Sequence, residues 1–409
     1  MKIAHVTLYP PKSEKHVSGS GVASYSKNLI TNMPGDDEHI VVANVMDGVE
    51  TYSEGNVSVH RVFRRNPNFL FAVHRELKKI NPDTVHIQQE LALFGGIFTA
   101  YLLQWLVFLW RKKVTITLHG VVDPDKVDAV FVKENNSRLP VWLVKLAFRI
   151  IYTPLMKWSD HVIVHEQLFK NIAVKKYGID SQKISVIPHG VEELSTIDTY
   201  RAREALAIPS SANVALFMGY ATGYKGLDLL IEGFAEYAKK SPHAYLIIGA
   251  GKHPKLHDDV TYLKEYERLQ SKAKKLIPGS QYRWEGFIKE AEITVYYSAS
   301  DVSLYPYTTA LSSSGPMSFA IGYEKPFLVS TAFESIFNTY PQLLFDRKPG
   351  DLADRLEYFF TYRHDYDEIS RELKQQRSWR RVANLTLNTY RQNDIQKGNY
   401  ETEESTTTW

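Results

Sequence analysis

Four places in the chain bring together residue types able to handle a strongly anionic ligand. The first is the stretch Thr308-Thr309-Ala310-Leu311-Ser312-Ser313-Ser314-Gly315-Pro316-Met317-Ser318-Phe319-Ala320-Ile321-Gly322. It lies between two apolar runs, Val302–Tyr305 and Phe327–Ser330, that read as buried strands. Met317, Phe319, Ala320 and Ile321 suit a short buried helix. Ser312 to Ser314 offer hydroxyls at its start, and Pro316 falls in the first turn, where a missing N–H is harmless. Gly315 lets a ligand come close to the backbone, and the free N–H groups of a helix start favour phosphate. An ordinary N-cap would use the same residues.

The second place is Gly219-Tyr220-Ala221-Thr222-Gly223-Tyr224-Lys225-Gly226, which closes a strand and opens a helix. Lys225 beside a helix N-terminus is a natural partner for a diphosphate; a solvated surface lysine is the plain alternative. The third is His119-Gly120 at a strand end. Imidazole there can donate to a sugar hydroxyl or stabilise charge, or can serve the fold alone; His86 invites the same two readings. The fourth is Gly19-Ser20-Gly21-Val22-Ala23-Ser24. As a dinucleotide fingerprint it is poor, because about ten residues separate it from the first strand and no acidic residue ends the second. Ser20 and Gly21 stay candidates for a phosphate or sugar contact. Asp123-Pro124-Asp125 has the form of a carboxylate pair for a divalent ion, but the intervening proline favours a turn.

Composition bounds the options. The chain has 409 residues, enough for two ordinary domains, with 44% apolar and 23% charged residues, as in a soluble globular protein. A formal charge of +3 is too small to point to nucleic acid. No Cys occurs, which excludes a disulfide framework, a thiolate metal site and a Cys nucleophile, and fits a cytoplasmic setting. The first residues enter a strand at once and lack a small-residue cleavage site, so no signal peptide is expected. Leu91 to Trp110 is twenty residues without a charge, long enough to span a bilayer. Flanking strands and the Arg111-Lys112-Lys113 stop favour a buried crossover helix. Leu139 to Trp158 interleaves apolar residues with Lys145, Arg149 and Lys157; it suits either packing on a sheet or peripheral contact with a membrane.

These pieces are positioned by two runs of alternating strands and helices. Near-continuous apolar strands separated by helices predict an α/β fold with parallel sheets. We read 1–195 as an N-terminal Rossmann-like domain and 196–375 as a second. A C-terminal helix follows over 376–398 and a tail over 399–409, with a polar connector at Glu192–Arg203. Ligands in such sheets bind beyond the carboxyl ends of the strands, and two such halves facing each other would enclose a cleft.

Order and spacing of the motifs resemble retaining glycosyltransferase family 4, glycosyl transferases group 1. The quoted pieces are Ser20-Gly21, His119-Gly120, Ile184-Ser185-Val186-Ile187-Pro188-His189-Gly190-Val191, Gly219 to Gly226, Trp284-Glu285-Gly286-Phe287, Ser300 to Pro306 and Ser378 to Ala383. The sequence departs from the family at Tyr220, where an Arg is usual. It also lacks the usual pair of Glu, the matching region reading Leu311-Ser312 and Ser318-Phe319. Ser314-Gly315-Pro316-Met317 through Lys325-Pro326 looks like a branch without that pair.

The resemblance implies a GT-B fold, two Rossmann-like domains facing across a cleft. It implies metal-independent transfer of a hexose, with retention, from a UDP- or GDP-linked sugar to a glycan, lipid-linked or small-molecule acceptor. No cofactor is implied beyond that donor. His119 and Lys225 are the implied catalytic residues. Ser20, Gly21, Gly219, Lys225, Ser313, Ser314 and Gly315 are the implied contacts to donor diphosphate or sugar, the last three through hydroxyls and N–H groups. The missing Glu pair also admits a silent copy that binds a sugar nucleotide or a protein partner. A nicotinamide-dependent oxidoreductase is disfavoured by the long first loop.

Overall fold

A computed structural model of the chain describes residues 1–14, 20–110, 112–134, 138–309 and 314–404. It forms two compact units, 1–190 with 379–409, and 191–378. The expected boundaries lay near 195 and 375; the contacts divide the chain after Gly190 and after Ser378.

The first unit is built on strands β1 (Lys2–Thr7), β2 (Glu38–Asn44), β3 (Tyr52–Glu54), β4 (Val57–Phe63), β5 (Thr84–Gln89), β6 (Lys113–Leu118), β7 (His161–Val164) and β8 (Ile184–Val186). They form one sheet in the order β3-β4-β2-β1-β5-β6-β7-β8. All neighbours are parallel except the short β3–β4 hairpin. Its helices are α1 (Gly21–Thr31), α2 (Phe69–Ile80), α3 (Ile97–Leu109), α4 (Ala129–Glu134), α5 (Val141–Trp158) and α6 (Gln167–Tyr177). The second unit holds α7 (Thr199–Ala205), α8 (Leu227–Lys240), α9 (Val260–Leu276), α10 (Ile293–Ala299), α11 (Gly315–Gly322), α12 (Glu334–Phe337), α13 (Pro349–Thr361) and α14 (Arg363–Arg377). The last helix, α15 (Trp379–Glu404), belongs to the first unit and continues through part of the expected tail.

A parallel sheet needs cover on both faces, and the two faces of the first sheet solve this differently. One is aliphatic: Ala4, Val6, Val85, Ile87, Ile116 and Val162 pack with side chains of α2, α3 and α5. The other carries His5, His39, His86, Gln88 and Thr117, a pattern that reads as a wet face, yet all five are buried. It is covered by α1 and α15, whose Tyr25, Leu29, Trp379, Leu387 and Tyr390 cluster with Ile3 and Ile163. Gly190 makes room for this cover: a Cβ there would lie 2.4 Å from the Trp379 ring.

The second unit has strands β9 (Asn213–Tyr220), β10 (Ala244–Gly251), β11 (Tyr282–Trp284), β12 (Val302–Tyr305), β13 (Phe327–Ser330) and β14 (Leu344–Phe345). They form a parallel sheet in the order β11-β10-β9-β12-β13-β14. The winding reverses between β9 and β12. In an open α/β sheet this reversal leaves a crevice at the carboxyl ends of those two strands, where ligands bind.

Two expectations change. The uncharged stretch Leu91–Trp110 is not a buried helix throughout: Leu91 to Gly96 is turn and loop, and α3 leaves Phe98, Trp105 and Phe108 exposed. The supposed polar connector Glu192–Arg203 contains the start of α7, which Asp198 caps by accepting from the Arg201 N–H. Arg203 is buried, donating to Asp301 at 2.8 Å and to the Ser210 and Ala299 carbonyls. A long cation does not reveal from sequence that it will be buried; here three acceptors make that tolerable.

The buried histidine face sets a pH dependence. Burial holds His86 down from an ordinary value of 6.5 to about 3, so the unfolded chain takes up a proton first. Stability is therefore full above about pH 6.5 and lost progressively as pH falls toward 3. Thermal unfolding between about pH 7 and 5 should show a falling melting temperature, and His86→Gln should flatten that slope.

Candidate functional site

The polar residues singled out in the second unit converge at the reversal between β9 and β12. Gly219, near the end of β9, has φ of +147°, a region that disfavours side chains. Its α-carbon faces the Lys225 amine, which a Cβ would meet at 3.7 Å. The chain then makes a single turn over Gly223–Lys225 and reaches Gly226 at φ +70°. A Cβ on Gly226 would lie 1.9 Å from the Pro306 carbonyl oxygen. Only glycine lets this loop press against the segment that follows β12, and that contact carries Lys225 inward.

Lys225 is buried, and no carboxylate pairs with it among the described residues. Its amine donates to the Tyr307 hydroxyl and lies 3.9 Å from that ring's centroid and 5.1 Å from that of Tyr224. Burial lowers its pKa to about 8. An ammonium held in this way has lost water without gaining a counter-ion, so it strongly favours an incoming anion.

The Tyr307 hydroxyl also bonds the Ser314 hydroxyl at 3.0 Å. Ser314 is the N-cap residue of α11, but its side chain makes no cap bond; the Tyr307 contact takes its place. The first N–H groups of α11 therefore rely on other partners. Gly315 is exposed, with nothing within 4 Å of where a Cβ would sit, so the approach to those amides is open. Pro316 stands next to Gly219, its ring 3.8 Å from the Cβ position there. Its carbonyl accepts from Tyr297 at 2.6 Å and from Tyr305 at 2.8 Å, which fixes the helix start to the sheet. Gly219, Lys225, Ser314 and Gly315 thus share one site. Ser313, with Leu311 and Ser312, lies outside the described residues.

Tyr297, Tyr305 and Tyr307 escaped the sequence reading because a tyrosine in an apolar strand or helix, or just after one, reads as core. A run of tyrosines around a helix start rich in hydroxyls was the available signal. A second aromatic group was also missed. Tyr220, at the end of β9, stacks on Phe287 at 6.0 Å with 13° between the planes, and meets His253 edge-on at 5.2 Å. Phe287 is 62% exposed, so the platform reaches solvent. A pocket of about 570 Å³ also opens beside the Lys225 loop. Its lining combines Asp228, Asp259 and Glu265 with Arg347, and Asp228 and Glu265 are paired with Arg268; Lys225, which has no carboxylate partner among the described residues, favours the α11 side for an anion.

The first unit gathers the other candidates. His119 follows β6, half-buried, its Nε2 at 2.8 Å from the Gln88 Oε1 position and its Nδ1 at 3.3 Å from His165 Nε2. His165 Nδ1 lies 3.0 Å from the Ile187 carbonyl. With His165 neutral, that carbonyl requires a proton on its Nδ1. His119 then donates from Nδ1, and the Gln88 amide turns its NH2 toward His119 and its oxygen toward His86, whose Nδ1 accepts from Tyr390 at 2.6 Å. Burial and the neighbouring histidines keep His119 well below its ordinary pKa. It is a neutral, pre-oriented imidazole rather than a charged one. Its ring packs perpendicular to that of Tyr25, with the ring centroids 4.7 Å apart. Tyr25 lies one turn into α1, the helix that Gly21 opens and Ser20 caps by accepting from the Ala23 N–H at 3.3 Å. So α1, which Ser20 and Gly21 begin, packs against His119 through Tyr25, while Gly19 lies outside the described residues.

Among the described residues no group of three His, Asp or Glu side chains is arranged to hold a metal ion. Asp123 caps a short turn by accepting from the Asp125 N–H, as its proline suggested.

Comparison with known proteins accords with this geometry. The model described as "Glycosyltransferase Family 4" matches residues 19–193, and that described as "Glycosyl transferases group 1" matches 198–372. Mannosylfructose-phosphate synthase of Agrobacterium fabrum is 25% identical over 197 residues, covering 47% of this chain and 40% of that protein. The chain thus aligns with well under half of that relative's length. Among solved structures, a sucrose-phosphate synthase from Thermosynechococcus elongatus superposes with a TM-score of 0.67 at 16% identity, covering 96% of this chain and 98% of that one. Anabaena HepE in complex with UDP-glucose gives 0.61 at 13% identity, covering 96% and 100%. These likenesses extend over both α/β units.

The pKa of Lys225 yields a test that needs no knowledge of the full ligand. Affinity for inorganic diphosphate should fall as pH rises through about 8, where the free amine loses its proton. Isothermal titration across that range should show proton uptake on binding, and Lys225→Arg should remove the pH dependence.

Proposed function

The chain belongs to the group 1 glycosyltransferases with the GT-B fold, and from that premise we propose that it moves a hexose from a UDP-linked sugar to a hydroxyl acceptor with retention at the anomeric carbon. The observation that carries this is the buried Lys225 ammonium, without a carboxylate partner, beside the open start of α11. When the anomeric C–O bond breaks, negative charge develops on the departing diphosphate. Lys225, the Ser314 hydroxyl and the amides at Gly315 and Met317 would meet that charge with groups already oriented. A preorganised donor of this kind is worth roughly 10²–10³ in rate. UDP is favoured over GDP because the similar Anabaena structure holds UDP-glucose.

The donor is assigned to the second unit. Its base would lie on the Tyr220–Phe287–His253 platform, beyond the ends of β9, β10 and β11. Stacking there would supply part of the grip that a Glu pair gives elsewhere in the family. The acceptor is assigned to the first unit, near Ser20, Gly21 and the neutral His119. A neutral imidazole can hydrogen-bond a sugar hydroxyl without trapping the leaving diphosphate as an ion pair.

A panel of UDP-, GDP- and ADP-sugars separates this reading from a silent nucleotide-binding copy. A true donor at a hundred times its Kd should stabilise the protein by about 2.7 kcal/mol, and one donor should also be hydrolysed or transferred. Stabilisation without turnover across the panel would favour the silent copy. Ser314→Ala should lower kcat/KM for the active donor roughly ten- to a hundredfold, as for a lost hydrogen bond to a charged group.

A further inference from the structure

Helix α3 is inverted relative to an ordinary surface helix. Between Ile97 and Trp110 there is no charged residue, and its outward positions are Phe98, Tyr101, Trp105, Phe108 and Leu109, spaced three or four apart on one face. Phe98 is 60% exposed and Phe108 49%. On α5, Val144, Phe148, Tyr152 and Leu155 face the core, while Trp142, Leu146, Ile150 and Trp158 form a second outward stripe. The stripes join: the Trp158 ring lies 5.8 Å from Trp105 and 5.0 Å from Phe108. A contiguous aromatic patch of this kind marks a binding surface.

The charges around it are of one sign. Lys112, Arg138, Arg149 and Lys157 are exposed on these helices or at their ends, and Lys113 and Lys145 are half-buried there. No Asp or Glu occurs in residues 97–110 or 138–159. Two carboxylates beside these helices are already engaged: Asp125, which faces Lys145 and Arg149, pairs with Lys176, and Asp160 accepts from the Val114 N–H at 2.8 Å. A second copy of the chain laid on this face would bring cations onto cations, which argues against self-association there. Tryptophans ringed by lysine and arginine match the acyl–headgroup boundary of an anionic bilayer.

We propose that the α3–α5 face of the first unit docks peripherally on an anionic lipid surface. Phe98, Trp105 and Trp142 would enter the headgroup region, with Arg149 and Lys157 pairing lipid phosphates. No helix of the described residues is long and apolar enough to cross a membrane, so the contact is interfacial. The proposal is independent of which sugar nucleotide the second unit binds.

Flotation of the full chain with phosphatidylcholine vesicles, with and without phosphatidylglycerol, tests it. The protein should float with the mixed vesicles at low salt, be released at high salt, and bind pure phosphatidylcholine weakly. Its tryptophan emission should shift to the blue on binding. Arg149→Glu with Lys157→Glu should cut binding by at least about thirtyfold, the loss of two cations at about one kcal/mol each. Phe98→Ser with Trp142→Ser should abolish it with the melting temperature preserved, since both side chains are mostly exposed. Absence of flotation at low salt would overturn the proposal. So would charge reversals without effect, or a dimer in solution that Phe98→Ser dissolves while vesicles bind nothing.

Discussion

The anion site of the second unit is arranged around a buried cation, Lys225, that has no carboxylate partner among the described residues. Lys225 is buried by a loop that two glycines shape, is held by a single phenol, and points to the start of α11. Every part of this arrangement has a steric cause. Gly226 allows the loop to touch Pro306; Gly219 adopts a φ of +147° that side chains disfavour; Tyr297 and Tyr305 donate to the Pro316 carbonyl and fix the helix start. The topology places these parts together because β9 and β12 are neighbours whose connections wind in opposite directions. Burial without a counter-ion is unfavourable for the apo fold and turns favourable when an anion arrives. That is the physical reason to regard the site as a binding site rather than a structural knot. Asp301 shows the contrast. It is equally buried, but Arg203, Arg363 and the Val214 N–H satisfy it, and nothing about it calls for a ligand.

The first unit answers a different problem. Its sheet has one greasy face and one lined with histidine, threonine and glutamine, and the polar face is sealed by α1 and α15. Sealing is helped because His86, Gln88, Thr117, His119 and His165 bond to one another across β5, β6 and the end of β7, ending at the Ile187 carbonyl and the Tyr390 hydroxyl, while His5 and His39 bond each other across β1 and β2. The helix that returns from the far end of the chain is therefore part of the first unit's core. Trp379 and Tyr390 bring it there, one against Gly190 and one against His86. His119 inherits its orientation and its neutrality from this network.

Much of this was legible in the sequence because it follows from periodicity. Val302–Tyr305 and Phe327–Ser330 match the observed strands residue for residue. The parallel pairing followed from near-continuous apolar runs. Glycines next to Lys225, and hydroxyls before Pro316, marked where a loop and a helix start would meet. What the sequence hid depends on contacts distant along the chain. Tyr307 touching both Lys225 and Ser314 joins residues that only the strand order brings together. Ser314 looked like a helix cap, and loses that role because a phenol competes for its hydroxyl. The solvent face of α3 was misjudged for a similar reason: twenty uncharged residues imply burial on all sides, unless the neighbouring layer covers just one.

The role proposed for Lys225 is to grip the diphosphate of the ligand and not its nucleoside. Calorimetric titration of Lys225→Met with UDP and with uridine examines that claim directly. UDP affinity should fall roughly a hundredfold relative to the unsubstituted protein, as expected for a lost charged hydrogen bond in a desolvated site, while uridine affinity stays the same. Equal losses for both ligands, or unchanged binding of UDP, would contradict it.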